Sequence, residues 1–384
     1  MTLYVSDLQV AWSGRQDLNL WPSGYEFFQP VMQYFRLHRG KGSSMVDKGL
    51  QRGINHEFEL QLKAGVLQPL VERVRNDDTL SLEIRNGYVD IYYRGGRLLG
   101  IHEQAKGARF RTEFDERYFG DGEAYPSRRP AMAPAKTIKT VADAEGWVDA
   151  FAHYKQAMDI RFSLHPKIER EYQQAVVRDN NRHWSGNASD YVVVDIEYAQ
   201  SPSAFPEQKA NYRFDMVGFR WPAEGKSRAS GVVTPVIMEM KAGDGALASP
   251  QLKRDSDELS PGLIKHVLDM ERFLTPEPGE DISGPFALLC EELVSMFELK
   301  QRLGLPSLPK RMRDFKITEV STRPEVLFIL ANHQPSSTIL GRELKKLPPH
   351  ERADYRIATV TYAGYALFAD NLRTIDQVIA ETHE

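Results

Sequence analysis

Three strand-like segments in close succession constrain the fold of this chain more than any other feature. They are Tyr191 to Ala199 (YVVVDIEYA), Tyr212 to Arg220 (YRFDMVGFR) and Pro235 to Ala242 (PVIMEMKA). Each is rich in the β-branched and aromatic residues that strands favour, yet each also carries acidic residues. Because an unpaired charge within an apolar segment is costly, these acids must gain partners when the sheet forms.

Strand alternation predicts where the charged side chains of the second and third segments point. Residues two apart in a strand share a face. Glu239 and Lys241 therefore project from one face of the third segment, while the intervening apolar residues point the other way. In the second segment, Asp215 shares a face with Val217. If the two strands are neighbours, Asp215 and Glu239 converge and can bind one ion.

Two readings of this cluster are open at the level of sequence. Mg²⁺ is typically held by one or two carboxylates together with water and phosphate oxygens. Lys241 beside such an ion could orient an attacking water or stabilise a pentavalent phosphate. Alternatively, the acids and the lysine form a buried ion-pair cluster that serves only the fold.

The order of elements around the cluster matches a known pattern. The sequence predicts a helix at Pro166 to Arg178, the three strands, a helix at Leu263 to Leu274, and an apolar strand at Glu325 to Ala331. With Asp215 on the second strand and Glu239-Met240-Lys241 on the third, residues 166–331 resemble the PD-(D/E)xK nuclease superfamily. Phe214 stands where that signature has its proline.

The resemblance implies an α/β fold, a restriction-endonuclease-like mixed sheet flanked by helices, preceded by an N-terminal α+β region. It implies hydrolysis of phosphodiester bonds, above all in DNA, with Mg²⁺ or Mn²⁺ as cofactor and a setting in restriction, repair or defence. Asp215, Glu239 and Lys241 would be catalytic. The metal ligands would be Asp215, Glu239, the Met240 carbonyl and a carboxylate of the first helix, Glu169 or Glu171, of which Glu171 is the predicted ligand.

The proline- and alanine-rich stretch from 120 to 137 predicts a linker. We therefore expect an N-terminal region at 1–120, a linker at 121–140 and a nuclease-like domain at 141–384. The N-terminal region would serve nucleic-acid binding or dimerisation. Its predicted elements are a helix-like aromatic segment at Gly24 to Arg36, a helix at Gly53 to Arg75 and strands at Thr79 to Ile84, Tyr88 to Tyr93 and Arg97 to His102.

Basic residues with interleaved aromatic residues predict a phosphate-contacting surface, and a solvated sheet face is the alternative. In the N-terminal region they are Arg94, Arg97, Lys106, Arg109 and Arg111, among Tyr92, Tyr93 and Phe110. After the acidic motif, Lys253 and Arg254 precede a helix that carries Lys265 and His266. These four are either phosphate contacts or solvated side chains.

Two further acids, Asp195 and Glu197, share a face of the first strand. They either join the metal site or form an exposed acidic edge. A non-catalytic nucleic-acid-binding or assembly protein on the same fold, and a metal enzyme acting on small phosphate esters or RNA, are the rival functions.

Composition limits the setting. The net charge of −4, from 49 basic and 53 acidic residues, argues against a protein that coats nucleic acid. A single cysteine, Cys290, fits a reducing compartment. No apolar run reaches about 18 residues and no signal peptide is visible, so we expect a soluble cytoplasmic protein that does not bind a membrane. The expected partner is DNA, and a homodimer is an open alternative to a monomer.

Overall fold

The computed structural model describes residues 34–36, 50–120, 130, 132–181, 189–200, 212–221, 231–247, 262–274, 284–305, 308, 312–334, 337–349, 352 and 354–382. Most of the aromatic segment at 24–36 lies outside them, as do Lys253 and Arg254. Where that segment is described, at Tyr34–Arg36, it is a strand and the helical prediction is wrong.

The described strands are β1 (Tyr34–Arg36), β2 (Leu80–Ile84), β3 (Tyr88–Tyr93), β4 (Gly96–Ala105), β5 (Arg109–Glu113), β6 (Thr137–Ile138), β7 (Tyr191–Gln200), β8 (Tyr212–Arg220), β9 (Val232–Ala242), β10 (Glu319–Ser321), β11 (Glu325–Ala331), β12 (Tyr355–Val360) and β13 (Arg373–Thr374). The described helices are α1 (His56–Ala64), α2 (Gln68–Asn76), α3 (Val141–Leu164), α4 (Ile168–Asn181), α5 (Leu263–Leu274), α6 (Pro285–Arg302), α7 (Ile339–Leu344) and α8 (Ile375–Glu381).

The first sheet is an antiparallel meander of β2 to β6 in chain order. The two strands predicted at Tyr88 to Tyr93 and Arg97 to His102 pair as a hairpin, β3 and β4, whose turn uses Arg94 and Gly95 at positive φ. The single helix predicted at 53–75 is instead two, α1 and α2. Gly65 ends the first, and Pro69 occupies the first turn of the second, where its missing N–H costs no hydrogen bond.

Part of the predicted linker at 121–140 is a strand, β6. Strand β6 pairs with β5 and completes the first sheet. Helix α3 packs against α2, and Trp147 on α3 donates a hydrogen bond to the Ala135 carbonyl. Helix α3 therefore packs with the first sheet, where it contacts β4 and β6.

The second sheet is mixed and contains the three acidic strands. β7 pairs antiparallel with β8, β8 antiparallel with β9, β9 parallel with β11, β11 parallel with β12, and β12 antiparallel with β13. Short β10 also pairs with the start of β9, and β1 pairs with β10. The α/β class is thus confirmed, as two sheets flanked by helices. Strand β12 ends at Val360, where a turn follows.

Helices cover both faces of the second sheet. On one face, Val176 and Val177 of α4 pack against Met238 and Met240 of β9. On the other face, Ile237 of β9 and Val217 of β8 belong to the larger core, together with α5 and α6. The alternation predicted for β9 is therefore confirmed, because its methionines point away from the face that carries Glu239 and Lys241.

Buried ion pairs join the two sheets and helix α6. Lys300 Nζ lies 2.7 Å from Glu83 Oε2 and donates to the Val194 carbonyl. Fully buried Asp195 contacts Arg85 at 2.5 Å and Arg52 at 3.1 Å. Both readings of Asp195 from the sequence are wrong, since it lies neither at an exposed edge nor with Asp215 but at the junction between the sheets.

Candidate functional site

Neighbouring strands bring the predicted acids together. In the β8–β9 ladder, Val217 pairs with Ile237 and Met216 with Met238. The next position along the ladder is occupied by Asp215 and Glu239. The Met240 N–H donates a 2.8 Å hydrogen bond to Asp215 Oδ2, which fixes the aspartate against the backbone of β9.

Lys241 lies within this acidic pair and is buried. Its Nζ donates to Glu239 Oε1 at 2.9 Å and to the Met240 carbonyl at 3.0 Å. The side chains of Glu239 and Lys241 are only 3% and 6% exposed. The Met240 carbonyl, predicted as a metal ligand, therefore already accepts a hydrogen bond from Lys241.

The electrostatics of the pair reflect burial and like charge. Burial raises the pKa of Asp215 to about 6, while Lys241 and the Met240 N–H act in the opposite direction. Burial and the neighbouring charge of Asp215 also raise the pKa of Glu239 well above its ordinary value. Burial alone would lower the pKa of Lys241, but the two carboxylates raise it. One buried ammonium thus leaves the two acids incompletely neutralised.

Helix α4 contributes Glu169 to this region rather than Glu171. Glu169 Oε1 accepts from the Ala242 N–H at 3.4 Å, just beyond Lys241. Glu171 instead forms two 3.0 Å hydrogen bonds with Arg94. Because residues two apart on a helix are separated by about 200°, only one of the two glutamates can face β9. The predicted ligand Glu171 is therefore directed away from the site.

Glu197 of β7 borders the site on its other side. The β7–β8 register pairs Ile196 with Met216 and Tyr198 with Phe214, which places Glu197 opposite Asp215. Its charge contributes to the raised pKa of Asp215. The Glu197 carboxylate lies 3.1 Å from Arg170 on α4, so this acid has a cationic partner of its own.

The sequence predicts a phosphate contact or a solvated side chain for His266, but the structure places it against Glu239. His266 lies on α5, and its Nδ1 is 3.0 Å from Glu239 Oε1. Burial and the nearby cations Lys241 and Lys265 lower its pKa to about 3, so the imidazole is neutral. No local pattern could have signalled this contact, since the two residues meet only through packing of α5 on the sheet.

The predicted basic surface is only partly available. Arg94 is engaged by Asp159 at 2.8 Å and by Glu171, and Arg97 by Glu113 at 3.1 Å. Two of its aromatic residues, Tyr92 and Phe110, are buried and cannot stack on a ligand.

Arg109 and Arg111 on β5 remain exposed. Within the part of the chain that the structure describes, neither arginine forms an ion pair. Arg111 pairs across the ladder with His102, whose ring stacks on Tyr88 at 4.4 Å. The available basic surface is therefore the β5 strand beside an aromatic stack.

The carboxylate oxygens of Asp215 and Glu239 suit a hard cation, although they supply only part of its coordination shell. Among the described ranges, no three His, Cys, Asp or Glu side chains are grouped so as to hold a metal ion. Asp215 and Glu239 are the residues that could bind one, with Glu169 nearby. Two carboxylates with the rest supplied by water is the usual arrangement for Mg²⁺, which dehydrates reluctantly.

Comparison with protein-family models, curated proteins and solved structures finds no match for this chain. In the described part of the chain, no helix is long and apolar enough to cross a membrane. The site must therefore be interpreted from its own geometry.

Proposed function

We propose that this protein is a metal-dependent nuclease that hydrolyses phosphodiester bonds, most of all in DNA. The observation that carries the proposal is the set of half-buried Asp215 and buried Glu239 and Lys241 on two adjacent strands. Burial raises the pKa of both acids, and Asp215 raises that of Glu239 further, so two acids that share one lysine are poorly stabilised without a further cation. Perturbed buried acids of this kind are typical of functional sites.

Asp215 and Glu239 would hold Mg²⁺ or Mn²⁺. When bound, such an ion polarises a phosphoryl oxygen and lowers the pKa of a coordinated water. Lys241, held by Glu239 Oε1 and the Met240 carbonyl, presents its ammonium where negative charge develops on the phosphate. Glu169, hydrogen-bonded beyond the end of β9, stands at the margin where it can orient a water molecule.

The arrangement of elements supports the same reaction class. The order α4, β7, β8, β9, α5, β11, with Asp215 on the second strand and Glu239 and Lys241 on the third, resembles that of PD-(D/E)xK nucleases. Arg109 and Arg111 are the exposed cations suited to phosphate contacts. Restriction, repair and defence are all compatible settings for such an enzyme.

A non-catalytic nucleic-acid-binding protein is the second candidate. The observation that favours it is the position of Lys241, which already bonds to Glu239 and to the Met240 carbonyl. In that case the cluster would stabilise the sheet, and binding would not depend on a divalent cation.

Cleavage assays with purified protein test the proposal. Supercoiled plasmid, linear duplex, single-stranded DNA and RNA would each be incubated with Mg²⁺, with Mn²⁺ and with EDTA. Asp215→Asn and Lys241→Met are the site variants, and Asp269→Asn on α5, an acid paired with Lys265, is the matched control. We expect metal-dependent cleavage that both site variants lose and the control retains. Metal-independent binding without cleavage would favour the binding protein instead.

A further inference from the structure

His266 occupies an unusual position on an otherwise apolar helix face. It lies three residues after Leu263 and four before Met270, and both of these are buried in the core. Residues at these spacings share a helix face, so His266 belongs to the face that packs on the sheet. Its side chain is 22% exposed, and its Nδ1 lies 3.0 Å from Glu239 Oε1.

Two side-chain nitrogens, Lys241 Nζ and His266 Nδ1, converge on the same oxygen of Glu239. Lys241 Nζ is 2.9 Å from Oε1, and an ammonium group can only donate. Oε1 is therefore an acceptor, and the imidazole of His266 can serve as a second donor at the 3.0 Å separation when its proton lies on Nδ1. The described residues give Oε2 no nitrogen donor, which leaves this oxygen for Asp215 or a shared ligand.

The groups around the imidazole determine what it can contribute. Lys241 on β9 and Lys265 on its own helix face it as cations, and Glu239 faces it as the acid. Lys241 alone could not fix the carboxylate, since an ammonium accepts many orientations. A planar imidazole anchored on a packed helix defines one rotation of the carboxylate about its Cγ–Cδ bond.

We propose that His266 is a positioning residue that orients Glu239 so that Oε2 faces a divalent cation shared with Asp215. This inference rests on the metal site of the proposed function and identifies the side chain that preorganises it. Replacing such an outer partner commonly weakens metal binding by about 10–100-fold. We expect a loss of this size when the donor is removed.

Direct Mn²⁺ binding, measured by titration calorimetry and by electron paramagnetic resonance, provides a readout that does not require activity. His266→Asn keeps a donor close to the position of Nδ1, whereas His266→Leu removes it. Lys265→Leu on the same turn is the matched control, because Lys265 bonds Asp269 rather than Glu239. Mn²⁺ binding that is lost in Asp215→Asn is assigned to this site and is called Asp215-dependent.

We expect His266→Leu to weaken Asp215-dependent Mn²⁺ binding by about tenfold or more, and His266→Asn and Lys265→Leu to stay within about threefold of the wild type. For an active enzyme, the metal concentration at half-maximal rate should rise by the same factor. Unchanged Mn²⁺ binding in His266→Leu overturns the inference.

Equal losses in His266→Leu and His266→Asn also overturn it, since they would indicate packing rather than orientation. Absence of Asp215-dependent Mn²⁺ binding in the wild type overturns it as well. If the expected Mn²⁺ pattern is found but the wild type cleaves no nucleic acid, the inference stands and the nuclease proposal fails.

Discussion

Asp215→Asn should stabilise the metal-free protein at pH 8. In the folded chain, burial raises the pKa of Asp215 from its ordinary 3.8 to about 6. At about 1.36 kcal/mol per pH unit, this rise corresponds to about 3 kcal/mol of unfavourable free energy when the folded aspartate is ionised. The side chain is only half-buried, so the expected gain is about 1–3 kcal/mol.

The sign of the stability change follows from how tightly the folded and unfolded states bind the Asp215 proton. Between about pH 4 and pH 6, the folded protein holds the Asp215 proton more tightly than the unfolded chain, so wild-type stability falls as the pH rises through this interval. Asparagine cannot ionise, and its Oδ1 can still accept the Met240 N–H. The stability difference between variant and wild type should therefore be small at pH 4 and reach a plateau above pH 7.

Urea unfolding in EDTA at pH 4.5, 6 and 8 measures this difference. Asp195→Asn is the matched control on the neighbouring strand. Burial opposes ionisation of Asp195, but Arg85, Arg52 and Lys300 outweigh it and lower its pKa. Loss of that buried charge should destabilise the protein by about 3–5 kcal/mol. The reasoning is refuted if both variants shift in the same direction, or if Asp215→Asn gains nothing at pH 8.

Three further predictions concern other groups. Lys300→Met should lower the free energy of unfolding in urea by about 3–5 kcal/mol, because it leaves buried Glu83 without its cation. Adding Glu83→Gln should restore part of the loss, and an undiminished loss in the double variant would contradict the pairing. Burial raises the pKa of Glu292 to about 7, so the free energy of unfolding of the wild type should fall from pH 4.5 to pH 7. Glu292→Gln should reduce this pH dependence, and an equal pH dependence in both proteins would contradict the assignment to Glu292. Arg109→Ala and Arg111→Ala should each weaken DNA binding in fluorescence anisotropy and reduce its salt dependence by about one ion, and unchanged binding would remove β5 as a nucleic-acid surface.

Strand periodicity was sufficient to predict the centre of the site. The alternation in YRFDMVGFR and PVIMEMKA is strong, and the two strands are close in sequence. Pairing of the two strands as neighbours is then enough to bring the acids together, and Asp215 lies beside Glu239 and Lys241 as predicted. The nuclease activity itself stays a prediction.

Contacts between distant segments could not be predicted in the same way. The choice between Glu169 and Glu171 depends on the rotation of α4 about its axis, which its amphipathic pattern defines only coarsely. His266 reaches Glu239 only through the packing of α5, and Asp195 meets Arg85 across a sequence separation of 110 residues. No local pattern encodes such pairs.

Two local predictions in the N-terminal region are wrong for a related reason. Apolar residues recurring every four positions from 58 to 74 favoured one continuous helix, although Gly65 and Pro69 interrupt it. The proline-rich stretch before α3 suggested a linker, but Thr137–Ile138 within it pairs with β5. Local composition did not reveal that this short strand completes the sheet.

Cleavage of DNA by the wild type and by Asp215→Asn, with Mn²⁺ and with EDTA, tests the central claim most directly. Urea unfolding of the variant checks that it is folded, so that a loss of cleavage reports on the site. We expect Mn²⁺-dependent strand breaks by the wild type and none by the variant. Equal cleavage by both proteins, or no cleavage by a folded, Mn²⁺-loaded wild type on any DNA or RNA substrate, would contradict it.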